Sequence, residues 1–165
     1  MIKNVKPIFV VLVFSSLISF SFNERSTSTE KLALGDKAPE LVLGDNNKQT
    51  LNLHNPSGDY TLLSFWASYD AVSRMENAKL NHVLQHSARV KMVSISFDSY
   101  QSVYQAAVKQ DGMKTSDCHW EMEGENSPVF KAYDLEGGFK NYLLDKDGVI
   151  VAKNLTADEL VSYLN

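Results

Sequence analysis

The sequence predicts an α/β domain: a mixed central sheet with helices on both faces and a small N-terminal β-hairpin. Three observations predict it. Two nearly continuous apolar runs of strand length, residues 60–67 and 90–97, are each followed by apolar residues at helical spacing. Two later short runs flank an Asp-Gly turn, and a segment with helix-start chemistry closes the chain. The resulting order is β-β, then β-α-β-α, a short helix, then β-β-α.

Each element has a local reason. Leu41-Val42-Leu43 and Thr50-Leu51-Asn52-Leu53 flank Gly44-Asp45-Asn46-Asn47-Lys48, a hairpin signal. Residues 60–67 lack polar alternation, as expected of a strand buried on both faces and therefore central. From Asp70 to about His86, Val72, Met75, Ala78, Leu80, Val83 and Leu84 recur at steps of three and four, between Arg74, Glu76, Lys79, Asn81 and Gln85. That pattern predicts an amphipathic helix. A second buried strand over residues 90–97 leads to a second helix over 102–109, ending near Asp111-Gly112. Residues 113–126 read as irregular. Pro128 to Tyr133 predicts a short helix with proline in its first turn. Residues 141–145 and 149–152 flank Lys146-Asp147-Gly148, a second hairpin, and Thr156 with Glu159 predicts a capping box on the last helix.

Composition bounds the function. The chain has 165 residues, 44% hydrophobic and 22% charged, with 8 Gly and 4 Pro, which suits one packed domain and excludes a disordered or collagen-like chain. Residues 1–22 carry Lys3 and Lys6, then an uncharged apolar stretch from Pro7 to Phe22, with small Ser19 and Ser21 near its end. This is the layout of an export signal or, if uncleaved, of an N-terminal anchor. An exported, periplasmic or extracellular location is expected, with residues 23–34 as a linker and 35–165 as the domain. No cysteine lies in or just after the leader to accept a lipid. The formal charge of −4 falls by two once Lys3 and Lys6 leave with it, so nucleic acid is not expected as a partner. A membrane is expected only through the leader. Cys118 is the single cysteine, so neither an intramolecular disulfide nor a two-thiol cycle within one chain can exist.

Three segments carry a resemblance: Gly35-Asp36-Lys37-Ala38-Pro39, Leu63-Ser64-Phe65-Trp66-Ala67-Ser68-Tyr69, and Tyr142-Leu143-Leu144-Asp145-Lys146-Asp147-Gly148. In this order and spacing the chain resembles the thioredoxin-like superfamily, specifically its exported thiol–disulfide oxidoreductases and the thiol-specific antioxidant group. The resemblance covers about residues 34–165 and implies the thioredoxin fold. It also implies a Cys-x-x-Cys pair at the start of the first helix, where this chain has Asp70-Ala71-Val72-Ser73. A helix N-terminus lowers a thiol's pKa and a second thiol one turn on resolves the mixed disulfide. Asp70 and Ser73 offer only capping, with Asp70 as the cap or, if the helix starts a turn later, Ser73 boxed with Glu76. The family's cis-proline corresponds to Phe139, after Gly137 and Gly138. A cis bond there would cost about 2.5–4 kcal/mol, so Gly138-Phe139 is expected trans, with the glycines relaxing the loop through positive φ.

The remaining candidate residues each admit a purely structural role as well as a functional one. Cys118 beside His119 is either a reactive thiol or a buried one, since neighbours in a strand point to opposite faces. His82 and His86 share a helix spacing that suits a metal, but a third ligand is not evident and none is expected to bind. Asp45, Asp145 and Asp147 fall in turns, where Asp is favoured for backbone reasons. Trp66, Tyr69, Gly138 and Phe139 would surround the surface on which the family receives an extended peptide. They could form a binding surface by strand addition, or Phe139 could turn inward and fill the space, with Trp66 in the core. The sequence thus predicts an exported, non-catalytic binding or accessory module without cofactors, partnered by an extended peptide or another envelope protein. The alternative is thiol–disulfide exchange or peroxidase chemistry on Cys118.

Overall fold

A computed structural model describes residues 32–44, 50–53 and 59–164; the leader, most of the linker and the turn containing Asp45 lie outside them. Two antiparallel strands, β1 (Leu41–Val42) and β2 (Thr50–Leu51), form the expected hairpin. The main sheet has five strands: β3 (Tyr60–Trp66), β4 (Val90–Ser96), β5 (Cys118–Trp120), β6 (Asn141–Asp145) and β7 (Ile150–Lys153). Its order is β5-β4-β3-β6-β7, so the most apolar run does lie centrally. The β3, β4 and β5 strands are parallel, while β6 and β7 run against them. Among the described residues four α-helices complete the domain: α1 (Ala71–Leu84), α2 (Gln101–Gln110), α3 (Pro128–Ala132) and α4 (Ala157–Val161).

Strand alternation divides the core between two faces. Leu63 and Phe65 of β3, with Val93, Ile95 and Phe97, pack with Val129, Phe130 and Tyr133 beneath α3 and the hairpin residues Leu41 and Leu43. Leu62 and Met92 pack instead with Leu80 and Leu84 of α1 and Leu160 of α4. Trp66 packs with Tyr104, Ala107 and Val108 of α2. The N-terminal segment is fastened by the Tyr133 hydroxyl, which donates to the Pro39 carbonyl at 2.6 Å.

Capping chemistry sets the helix ends. The Thr156–Glu159 capping box is present, Ser127 caps α3 with proline in its first turn, and Gly112, at φ +63°, follows the end of α2. Asp70 caps α1 by accepting from the Ser73 N–H at 2.9 Å, so the later start boxed by Ser73 and Glu76 does not occur. Glu76 is used differently: its carboxylate accepts from the Ala157 N–H at 2.9 Å and so fastens the start of α4.

Two expectations need correction. Residues 113–126 are not irregular throughout, because β5 pairs there with the open edge of β4 between short 3₁₀ turns. Helix α1 ends at Leu84 rather than His86, and its apolar stripe does not all face inward. Val72 and Met75 are exposed, while Asn77 and Asn81 are buried. The reason is a buried polar chain beneath the helix. Trp66 Nε1 donates to Ser94 Oγ at 2.8 Å, Ser94 donates to Asn77 Oδ1 at 2.9 Å, and Asn77 Nδ2 reaches Met113 Sδ at 3.0 Å.

Candidate functional site at the carboxyl end of the sheet

The central strand runs out at Trp66, and a tight turn, Ser68-Tyr69-Asp70, feeds α1. Ser68 is held from below by Asp98, a carboxylate only 1% exposed that follows β4. Asp98 accepts from the Ser68 N–H at 3.0 Å, the Ser68 hydroxyl at 2.5 Å and the Ser96 hydroxyl at 2.8 Å, so its buried oxygens are hydrogen-bonded. With both neighbours fastened, Tyr69 projects outward and Asp70 turns back to cap the helix. Behind the turn, Arg74 makes a two-pronged contact with Asp111, both bonds at 2.8 Å, joining α1 to the end of α2.

The opposing wall is the loop before β6. Gly138 has φ +116° and its N–H donates to the Leu135 carbonyl at 3.0 Å; Gly137 does not share the positive φ. No described peptide bond is cis, Gly138-Phe139 included. Phe139 is half-buried. Its ring stacks on Phe97 with centroids 5.8 Å apart, meets Phe130 edge-on at 6.3 Å and lies 6.2 Å from Tyr69. It has therefore turned partly inward, yet a groove of about 400 Å³ remains between it and the helix start, lined by Asp70, Val72, Ser73, Gly138 and Phe139. Asp70, Ser73 and Phe139, the positions that the resemblance matches to the family's cysteine pair and cis-proline, thus face one groove.

The other sequence candidates sit elsewhere. Trp66, a candidate for the surface, is not on it: its ring is fully buried under α2 and its N–H is used by Ser94. Tyr69 is 59% exposed, and its hydroxyl donates to Glu125 at 3.0 Å. Partial burial of that hydroxyl, the bond to Glu125 and the nearby carboxylates push its pKa up to about 12. Cys118 lies on the edge strand β5, two strands from β3 and away from the turn. It is 7% exposed, its Sγ sits 3.4 Å from the Lys114 carbonyl, and burial pushes its pKa up to about 11 against a bond with Ser94 that lowers it. A thiol so protonated is a poor nucleophile at neutral pH. His119 alternates to the other face of the strand, and burial and Lys91 lower its pKa. Among the described residues no group of three His, Cys, Asp or Glu could hold a metal ion, His82 and His86 included.

Two residues were missed by sequence reasoning. Asp98 was unremarkable after an apolar run. Glu121, fully buried, accepts from Gly44 N–H at 3.0 Å and Glu123 N–H at 2.9 Å, tying the end of the hairpin region to the loop after β5. Only an acid at a strand end marked either one, and that signal does not distinguish a buried carboxylate from a solvated one.

No family model matches the sequence. Among curated proteins the chain is 23% identical to the thiol-disulfide oxidoreductase ResA of Bacillus cereus, over 95% of this chain and 92% of that one. Among solved structures, a thioredoxin-like protein from Parabacteroides distasonis is 38% identical, with a TM-score of 0.71 over 81% of this chain and 95% of that one. A thiol-disulfide oxidoreductase from Bacteroides fragilis is 27% identical, with a TM-score of 0.61 over 78% and 97%.

Proposed function

The chain belongs to the thioredoxin-like superfamily of thiol–disulfide oxidoreductases, and from that premise we propose that it is a redox-inactive member, an envelope binding module for extended polypeptide. The observation that carries the proposal is the groove itself. Its helix wall begins with Asp70 and Ser73 instead of sulfur, yet the groove stays open at about 400 Å³. Oxygen side chains have no thiol–disulfide couple, so the groove can hold a polypeptide but cannot exchange electrons with it.

The loop supplies a means of holding. The Phe139 N–H and carbonyl take no part in the main-chain bonds that fix the loop, which run from Gly138 N–H to Leu135 and from Phe65 N–H to the Lys140 carbonyl. An extended segment can pair with them as an added strand while its side chains rest on Phe139 and Val72. The envelope location rests on the leader-like residues 1–22; among the described residues no helix is long and apolar enough to cross a membrane. The competing reading, exchange or peroxidase chemistry at Cys118, has against it the burial of that thiol and its raised pKa.

The test is hydrogen exchange of the protein with and without a reduced, carbamidomethylated polypeptide that cannot refold. Protection is expected at residues 138–140 and at the start of α1. Protection confined to other surfaces, or none at all, overturns the binding reading.

A further inference from the structure

Besides Leu34 and Val161, the exposed large apolar side chains among the described residues follow the carboxyl ends of the parallel strands. Tyr69, Val72 and Met75 at the start of α1, Tyr100 and Val103 at the start of α2, and Met122 after β5 are each between 42% and 73% exposed. Val72, Val103 and Met122 each share a hollow with one of the three residues of the Ser68–Asp70 turn. Ser68 shares one with Val103 and Arg74, Tyr69 lines a second of about 430 Å³ with Met122, Glu123 and Glu125, and Asp70 lines the groove under Phe139. Apolar surface concentrated in this way marks an interaction site.

The charges around it are one-sided. Glu123 and Glu125 line the Tyr69 hollow and Asp70 the groove, with Asp98 behind the turn. Among the described residues, the cationic side chains lining the three hollows are Arg74 and Lys140. Each is already held by its own carboxylate, Arg74 by Asp111 at 2.8 Å and Lys140 by Asp134 at 2.6 Å. The Tyr69 hydroxyl bonds to Glu125, so an aromatic face and a carboxylate form one continuous wall.

We infer that the Tyr69 hollow receives a lysine or arginine side chain of the bound polypeptide, whose neighbouring apolar side chain rests against Phe139 and Val72. A cation there meets the Tyr69 ring and the Glu125 carboxylate bonded to its hydroxyl, with Glu123 also in the lining and no protein cation in the hollow to neutralise them. In an extended chain, residues two apart face the same side at about 7 Å spacing, which suits an apolar residue and a basic one in alternate positions. The inference rests on the binding reading above and adds to it the chemistry of the partner.

Fluorescence anisotropy with three short labelled peptides tests it, each with a valine and, two positions on, a lysine, a glutamine or a glutamate. At low salt the lysine peptide is expected to bind about fivefold tighter than the glutamine one, and the glutamate peptide weakest. In the E123Q/E125Q variant, which changes two exposed side chains without changing their size, all three should bind alike. Equal binding of the three to the native protein, or a lysine preference that survives in the variant, overturns the inference while leaving the binding reading in place. Failure of every peptide to bind overturns both.

Discussion

Asp70, which the resemblance matches to the first cysteine of the family's pair, caps a helix. Its carboxylate takes up an N–H that the first turn of α1 leaves unpaired. Asp70→Ala is therefore expected to lower stability by about 1 kcal/mol, seen as a reduced urea midpoint with an unchanged slope. Cys118 makes the opposite kind of prediction. Burial raises its pKa from 9.0 to about 11, so the folded state keeps a proton that the unfolded chain releases. Stability contributed at this site is fully present below pH 9 and is lost as pH rises from there through 11. Relative to Cys118→Ser, the native protein should lose about 2 kcal/mol between about pH 8 and pH 11, measured by urea unfolding at each pH. A flat difference would mean the thiol is exposed. The two side chains differ in legibility for a physical reason. An Asp ahead of an apolar periodic run is a local signal of a cap, whereas the burial of Asp98 depends on Ser68, thirty positions away in the chain.

At the scale of elements, α1 departs most from what its periodicity implies. Spacing alone turns Val72 and Met75 inward, but the underlying strands present Ser94 and the Trp66 N–H at that level, and polar groups need a polar partner. Asn77 meets that need, and two apolar residues are left outside. Met75→Lys is accordingly expected to change stability by no more than about 0.5 kcal/mol, while Asn77→Ala should cost about 1–3 kcal/mol by stranding the Ser94 hydroxyl; thermal unfolding of both variants checks the contrast. The hairpins, the central strand and the capping box were legible because turn chemistry and apolar runs are written locally. Strand β5 was not. Cys118-His119-Trp120 has no strand pattern of its own, and it is a strand because β4 offers an unpaired edge.

For the whole molecule, the fold was legible and the chemistry was legible mainly as a loss. Three separated segments identify the architecture, and the single cysteine removes the dithiol whatever the packing. The groove could not be read in advance, because whether Phe139 fills or lines it depends on Phe97, Phe130 and Tyr69, which arrive from three different elements. The resulting end of the domain keeps an open groove, a loop with available main chain and an acidic, aromatic rim without the sulfur pair. The most direct measurement is dithiothreitol-driven insulin reduction by the Cys118→Ser protein. The rate should equal that of dithiothreitol alone, and reproducible acceleration by a protein that contains no sulfhydryl would contradict the account.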